Sequence, residues 1–251
     1  MAKKVKTDRR EFVKYSTLGV LGLVLGGGIV FSPYLKGKEN KLRPPGAVAE
    51  KDFLALCIKC GQCLQVCPYH SIKLNDIAKG YGEGTPYIDA NVRACFACNA
   101  VPCVLACPSG ALDHKTEKAE DIKMGIAVLE FPDTCLAVKK ELVPKGYDNK
   151  MLAFTKSVRN ETPEEVELLK KFSGFEDKPC SLCVDMCPIP NPLSAIAMVP
   201  SASGGRKPEI YDGCIGCGVC QDVCPTSKPS IVVKPRVTYE EYYNDKSYGK
   251  V

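Results

Sequence analysis

Apolar positions in this chain fall into one long run and several short ones. The long run, Tyr15 to Phe31, carries no charge and is diluted by Gly19, Gly22 and Gly26 to Gly28. It falls short of the ~20 strongly apolar residues that a membrane-spanning helix needs. The short runs Ser71-Ile72-Lys73-Leu74 and Ser230-Ile231-Val232-Val233 predict strands. An apolar stripe of Val166, Leu168, Leu169 and Phe172 predicts a short helix ending near Lys171. Its start is written in Thr162-Pro163-Glu164-Glu165, with an N-cap Thr, Pro at N1 and Glu at N3. We expect this helix to fold back on the body, with a docking element for a partner as the alternative. Pro33, Pro44, Pro45 and Gly46 mark residues 32–50 as a linker. The C-terminal stretch 235–251, with Tyr239, Tyr242, Tyr243 and Tyr248, is expected to pack loosely, or else to anchor on a partner.

Cysteine changes this picture. The 251 residues hold 16 cysteines, and all fall into four groups of four that each end in Cys-Pro. Cys57, Cys60, Cys63 and Cys67 precede Pro68, and Cys214, Cys217, Cys220 and Cys224 precede Pro225. Both read C-x2-C-x2-C-x3-C-P, the ligand run of a bacterial [4Fe–4S] ferredoxin. Cys95, Cys98, Cys103 and Cys107 before Pro108 repeat it with two extra residues in the middle. The third group is irregular: Cys180, Cys183, Cys187 and Pro188 form its compact end, and Cys135 stands upstream, separated from Cys180 by 44 residues. A C-x2-C-x2-C loop wraps three thiolates around one cubane, and the fourth Cys reaches a neighbouring one. The following Pro turns the chain away, and Gly61, Gly216 and Gly218 allow close backbone approach. Zinc has no use for the third Cys of each run, and a disulfide framework does not explain the register. The pattern predicts four [4Fe–4S] clusters on sixteen cysteines, with a [3Fe–4S] variant open at the third site, whose first ligand is remote.

Near the N-terminus, Arg9 and Arg10 are followed by Phe12, Val13 and Lys14 and then by the uncharged run. A charged region before a moderately apolar one is an export signal, and paired arginines point to the twin-arginine route. An uncleaved membrane anchor is the alternative. Ala47-Val48-Ala49 satisfies the small-residue rule for cleavage but lies far downstream. The two features fit each other: sixteen thiols threaded unfolded into an oxidising compartment would form disulfides, whereas clusters loaded in the cytoplasm and exported folded would not. We therefore expect a periplasmic protein.

Charge agrees. The net charge is +5, but residues 1–50 alone hold ten Lys and Arg against four Asp and Glu, so the remainder is close to neutral before any thiolate is counted. Nucleic-acid binding is not expected, although Lys36, Lys38, Lys41 and Arg43 could sit near lipid headgroups. His70 and His114 stand in no ligand register, and Gly80 to Gly84 lacks the Lys-Ser/Thr of a phosphate loop and reads as a turn. No Ser/His/Asp set or paired carboxylates stand out.

The predicted fold is α+β: a loop-rich polyferredoxin of two bacterial 2×[4Fe–4S] ferredoxin-like units. The expected division is a signal segment 1–31, a linker 32–50, a four-cluster body 51–234 with an insert at 136–179, and a tail 235–251.

Several stretches carry a family resemblance. They are Lys41-Leu42-Arg43-Pro44-Pro45-Gly46-Ala47, Gly84-Thr85-Pro86-Tyr87, Cys107-Pro108-Ser109-Gly110-Ala111-Leu112-Asp113, Met124 to Leu129, and Thr134-Cys135-Leu136. Over nearly its whole length the chain resembles the NapG ferredoxin-type subunits of periplasmic nitrate-reduction systems, with MauM proteins as close neighbours. The resemblance implies that Cys135 is a ligand, that the stretch around Pro44 stays in the mature protein, and that the link after Cys135 is unusually long here. It also implies an electron-transfer subunit rather than an enzyme alone. Electrons would come from a membrane quinol-oxidising partner of the NapH type and go towards a periplasmic nitrate reductase, directly or through a dihaem cytochrome. Membrane association would come through that partner or an uncleaved leader. Similarity to other four-cluster ferredoxins pairs the first cysteine group with the last and the second with the third. Cys224 would then join Cys57, Cys60 and Cys63; Cys67 would join Cys214, Cys217 and Cys220; Cys187 would join Cys95, Cys98 and Cys103; Cys107 would join Cys135, Cys180 and Cys183. Pairing between sequence neighbours is the alternative. Other functional classes are an iron–sulfur subunit of a different exported molybdenum or quinone oxidoreductase, and a maturation or scaffold protein.

Overall fold

In the computed structural model the described residues are 16–17, 40–76, 82–158, 160–201 and 204–244. Contacts divide the chain into residues 1–39 with 76–83, and residues 40–75 with 84–251. Arg9, Arg10 and Tyr248 lie outside the described residues, as does the expected leader apart from Ser16 and Thr17, which are helical. Among the described residues no helix is long and apolar enough to cross a membrane. The second unit holds all sixteen cysteines.

That unit is built from very short elements. In order they are α1 (Glu50–Leu56), α2 (Gln62–Gln65), β1 (Ile72–Leu74), β2 (Pro86–Ile88), α3 (Pro102–Leu105), β3 (Gly125–Leu129), α4 (Leu136–Lys139), α5 (Asn149–Ser157), α6 (Pro163–Phe172), α7 (Leu182–Asp185), β4 (Ile196–Pro200), β5 (Arg206–Ile210), α8 (Val219–Asp222) and β6 (Ile231–Pro235). The two expected strands are β1 and β6, and the expected helix is α6. Three antiparallel pairs form: β1 with β2, β4 with β5, and β3 with β6.

The pairs repeat one plan twice. The β1–β2 hairpin links the first two cysteine groups, and β4–β5 links the last two. In the second half, β3 before Cys135 pairs with β6 after Cys224 and closes the unit. In the first half the same closure is made by a single bridge, Ala47 to Leu112, while Leu42 bridges Ile88 at the end of β2. Cys63, Cys103, Cys183 and Cys220 each sit in a one-turn helix, and α2 packs on α3 as α7 packs on α8.

Residues 40–49, expected as linker, belong to the body. Leu42 and Arg43 are buried. Arg43 donates to Glu50 through Nη2 (2.6 Å) and Nε (3.1 Å), and through Nη1 to Thr85 Oγ1 (2.9 Å) and the Pro86 carbonyl (2.8 Å). Its guanidinium lies 4.8 Å from the Phe53 ring. Arg236, at the far end of the chain, donates to the Val48 carbonyl (2.9 Å) and pairs with Glu50 (3.2 Å). The prolines signal a turn here, not a tether. Arg43→Ala should cost about 2–3 kcal/mol, because charge-assisted bonds are lost and buried acceptors are left unpaired. Thermal unfolding of the loaded protein measures this, and an unchanged midpoint would place the stretch outside the cooperative unit.

The insert explains how Cys135 and Cys180 meet across 44 intervening residues. A short ladder closes its neck: Leu142 bridges Pro179, Val143 N–H donates to Lys178 O (2.9 Å), and Asp177 N–H donates to Val143 O (3.0 Å). Within the loop α6 carries the expected capping box, with Glu165 N–H on Thr162 Oγ1 at 3.2 Å and Thr162 N–H on Glu165 Oε2 at 3.4 Å. The helix folds back onto the first half. Thr162 Oγ1 donates to the Pro68 carbonyl (2.6 Å), and Glu165 Oε1 lies 3.2 Å from His70 Nδ1. Leu168 and Phe172 of the expected stripe are buried, whereas Val166 is exposed. Glu165, a capping residue by its position, is fully buried. Its neighbour Arg93 is also buried, with Nη2 on Thr155 Oγ1 of α5 (2.8 Å) and the Phe154 ring 4.3 Å away. The insert therefore clamps the two halves together.

The tail departs from a loose terminus as far as residue 244. Arg236 N–H donates to Met124 O (2.8 Å), Tyr243 OH donates to Ala127 O (3.3 Å), and the Tyr239 and Tyr243 rings lie 4.8 Å apart.

Candidate metal centres

Four hollows of similar size are lined by all the cysteines. The first is lined by Cys57, Cys60, Cys63 and Cys107, with Phe53, Pro86 and Leu112. The second is lined by Cys67, Cys95, Cys98 and Cys103, with Tyr69 and Phe96, whose rings are 4.7 Å apart. The third is lined by Cys135, Cys180, Cys183 and Cys224. The fourth is lined by Cys187, Cys214, Cys217 and Cys220. Cys220 also borders the third, so these two share a wall.

This grouping corrects the outer-with-outer pairing expected from similarity to other four-cluster ferredoxins. Cys107, not Cys224, completes the first site; Cys67 stands with Cys95, Cys98 and Cys103; Cys224 stands with Cys135, Cys180 and Cys183; Cys187 stands with Cys214, Cys217 and Cys220. Each fourth cysteine lies just beyond a one-turn helix, so it leaves its own loop and enters the hollow of whichever helix packs alongside. Those contacts are α2 with α3 and α7 with α8, so neighbouring groups exchange their fourth cysteine.

The hollows suit a cluster better than a lone ion. Each hollow is lined by at least four thiols. A cubane binds each of its irons to one thiolate, which fits four thiols around one volume. The linings are otherwise mostly apolar, with Lys59, Ser71, Ser109, Thr226 and Ser230 as polar exceptions.

Burial dominates the electrostatics. It pushes Cys63 to about 11 and Cys98 and Cys103 to about 12. Cys95, Cys183, Cys217 and Cys220 are driven well above the ordinary thiol value, also chiefly by burial. Thiolates there require positive charge beside them, which iron would supply. Backbone N–H groups oppose burial: Ala97 faces Cys95, Leu182 faces Cys180, Gly216 faces Cys214 and Val219 faces Cys217. At Cys107 burial is outweighed by N–H groups of Leu112, Ser109 and Ala111, and its thiol is lowered. Ser71 N–H donates to Cys67 Sγ, and Ser230 N–H donates to Cys224 Sγ, both at 3.4 Å. These serines open the two sequence-predicted strands, so the strand start and the sulfur contact are one feature.

Gly216 and Gly218 are tight against neighbouring protein segments, whereas a Cβ at Gly61 would meet nothing within 4 Å. Gly216 has φ +66°, and a Cβ there would lie 2.3 Å from the Gly125 carbonyl group; Gly218 has φ +88°, and a Cβ there would lie 2.7 Å from the Ala90 side chain. The residues that join the halves were not legible from spacing. Cys95 N–H donates to Cys217 O (3.0 Å), directly linking the second and fourth sites. Asp222 Oδ2 accepts from Ala94 N–H (2.9 Å), and Lys150 Nζ lies 3.2 Å from Asp222 Oδ1. His114 Nε2 lies 2.9 Å from the Cys107 carbonyl and lines no hollow.

Residues 56–138 match the 4Fe-4S dicluster domain family, and residues 208–227 match the 4Fe-4S binding domain family. Escherichia coli "Ferredoxin-type protein NapG" is 30% identical over 92% of this chain and 87% of its own length. "Methylamine utilization ferredoxin-type protein MauM" is 32% identical in Methylorubrum extorquens, over 94% of this chain and 93% of that protein. In Paracoccus denitrificans MauM is 33% identical over 94% and 91%. The chain belongs to the NapG/MauM family of ferredoxin-type proteins. It is a ferredoxin-type 4Fe-4S electron-transfer protein of mixed α+β structure. No solved structure matches it. Between the two matched regions of this NapG/MauM chain lie the insert and the compact third group, Cys180 to Cys187.

Proposed function

We propose that this protein is a periplasmic polyferredoxin of two bacterial-type units, with four [4Fe–4S] clusters on the sixteen cysteines. It takes electrons from a membrane quinol-oxidising iron–sulfur partner of the NapH type. It passes them towards periplasmic nitrate reductase, directly or through a dihaem cytochrome. Export as a folded, loaded protein is assigned to Arg9 and Arg10. The observation that carries this reading is the unbroken series of hollows. The first and second share a half, the second meets the fourth at Cys95 and Cys217, and the fourth and third share Cys220. Each cluster, when bound, supplies a one-electron couple. The chain's own part is to hold the sites adjacent, wall them with apolar side chains, and aim N–H groups at the sulfurs.

Anaerobically purified protein should contain about sixteen iron and about sixteen labile sulfide per chain, the content of four cubanes. It should be reduced by a solubilised NapH-type donor driven with a soluble quinol. Zinc, or metal-free protein with disulfides, would overturn the reading. MauM relatives match as well as NapG ones, at 29–33% against 28–30% identity. That favours a second reading with the same wire and another acceptor. The acceptor that reoxidises the reduced protein decides between them.

A further inference from the structure

Helix α6 of the insert delivers a carboxylate to the flank of the second hollow. Glu165 is fully buried, and each of its polar neighbours leads to the wall of that hollow. Its Oε1 lies 3.2 Å from Nδ1 of His70, the residue after Tyr69 of the lining. Thr162, its capping partner, donates to the carbonyl of Pro68, another lining residue, at 2.6 Å. The same Oε1 is 3.9 Å from Nη2 of Arg93, two residues before Cys95 of the lining. Arg93 is buried too, and its Nε has no hydrogen-bond acceptor among the described residues. Burial lowers the Arg93 guanidinium, and Asp222, Glu165 and Cys67 act against that. Glu165 and the Cys67 sulfur therefore face one cation. The exposed Glu164 beside it reaches the same hollow: burial raises both Tyr69 and Cys98 to about 12, and Glu164 adds to the rise in each.

Capping does not require this charge. Gln at N3 closes a capping box as Glu does, and an amide costs less to bury than an ionised carboxylate. We propose that Glu165 is a tuning residue of the second site, its carboxylate lowering that site's reduction potential by opposing an incoming electron and by offsetting Arg93. This rests on the electron-transfer reading above. A one-electron reduction adds one negative charge to the site. A fixed anion at its flank disfavours that charge and a fixed cation favours it, and salt screens buried groups weakly. The insert thereby gives the second site its own level in the series, between the first site and the fourth. Glu165 lines none of the four hollows, so its charge can be changed without touching a cysteine or its loop.

The test is a potentiometric titration of loaded protein, followed by EPR at one fixed pH with dithionite as reductant. The second cluster is the one whose signal changes in Cys98→Ser. Glu165→Gln keeps an acceptor for the Thr162 N–H and should keep wild-type iron content. It should raise the midpoint of the second cluster alone, so that its reduced-to-oxidised ratio at the wild-type midpoint rises about tenfold. Arg93→Gln should shift the same cluster downward, a reversal of sign that a packing role would not produce. An unchanged or lowered midpoint in Glu165→Gln, an equal shift of all four clusters, or an upward shift in Arg93→Gln would overturn the proposal. If Glu165→Gln loses iron, Glu164→Gln at low ionic strength decides. A smaller upward shift of the same cluster supports the proposal, and no shift overturns it. Failure of the electron-transfer reading looks different: wild type would titrate with dithionite yet take no electrons from the quinol-driven donor.

Discussion

Removing iron from this protein is expected to unfold most of it. Helices α2, α3, α4, α7 and α8 have four residues each, and β1 and β2 have three. Among the described residues every sheet has two strands. Helices shorter than about 12 residues are marginal in water, and isolated two-stranded hairpins are no better. What fixes these pieces is the centre they surround. Cys63, Cys95, Cys103 and Cys217 lie inside the apolar core beside Phe53, Val104 and Ile126. Emptied hollows lined by apolar groups and thiols would forfeit both the metal–sulfur bonds and the packing. Circular dichroism should show a large loss of ordered signal after chelation under reducing, anaerobic conditions, and the cooperative melt should vanish. Reduction of the sample matters, because disulfides formed from freed thiols would substitute other crosslinks. A chelated protein that kept its spectrum and melting temperature would show that the peptide core suffices.

The second large effect concerns which cysteines act together. Cys135→Ser and Cys224→Ser should damage the same centre, each losing about four of about sixteen irons or converting one cluster. Cys187→Ser should damage a different one, together with Cys214, Cys217 and Cys220. Cys107→Ser should alter the first site and spare the third. EPR of the reduced variants reads this directly. If Cys224→Ser instead matched Cys57→Ser, the outer-with-outer pairing would be restored and the grouping seen in the structure would be wrong.

The sequence carried the local chemistry in full view. Spacing within ten or twelve residues dictates a loop, so the three-thiol runs, the prolines that end them, and the strands opening at Ser71 and Ser230 could be read directly. The capping box at Thr162 and Glu165 was legible for the same reason, since its two hydrogen bonds join residues three apart. The fourth cysteines were not legible. Each lies past a one-turn helix, and its destination depends on which helix packs beside it. Nor was the closure between Cys135 and Cys180, which rests on a ladder at Val143 and Lys178 that no motif announces. Arg43, Arg93, Glu165 and Asp222 are polar residues whose ordinary place is the surface, yet all four are buried. Their partners lie far along the chain; Asp222 meets Ala94 across 128 positions. Such burial becomes favourable once distant segments meet with their hydrogen bonds aligned, and a linear pattern holds no trace of that meeting.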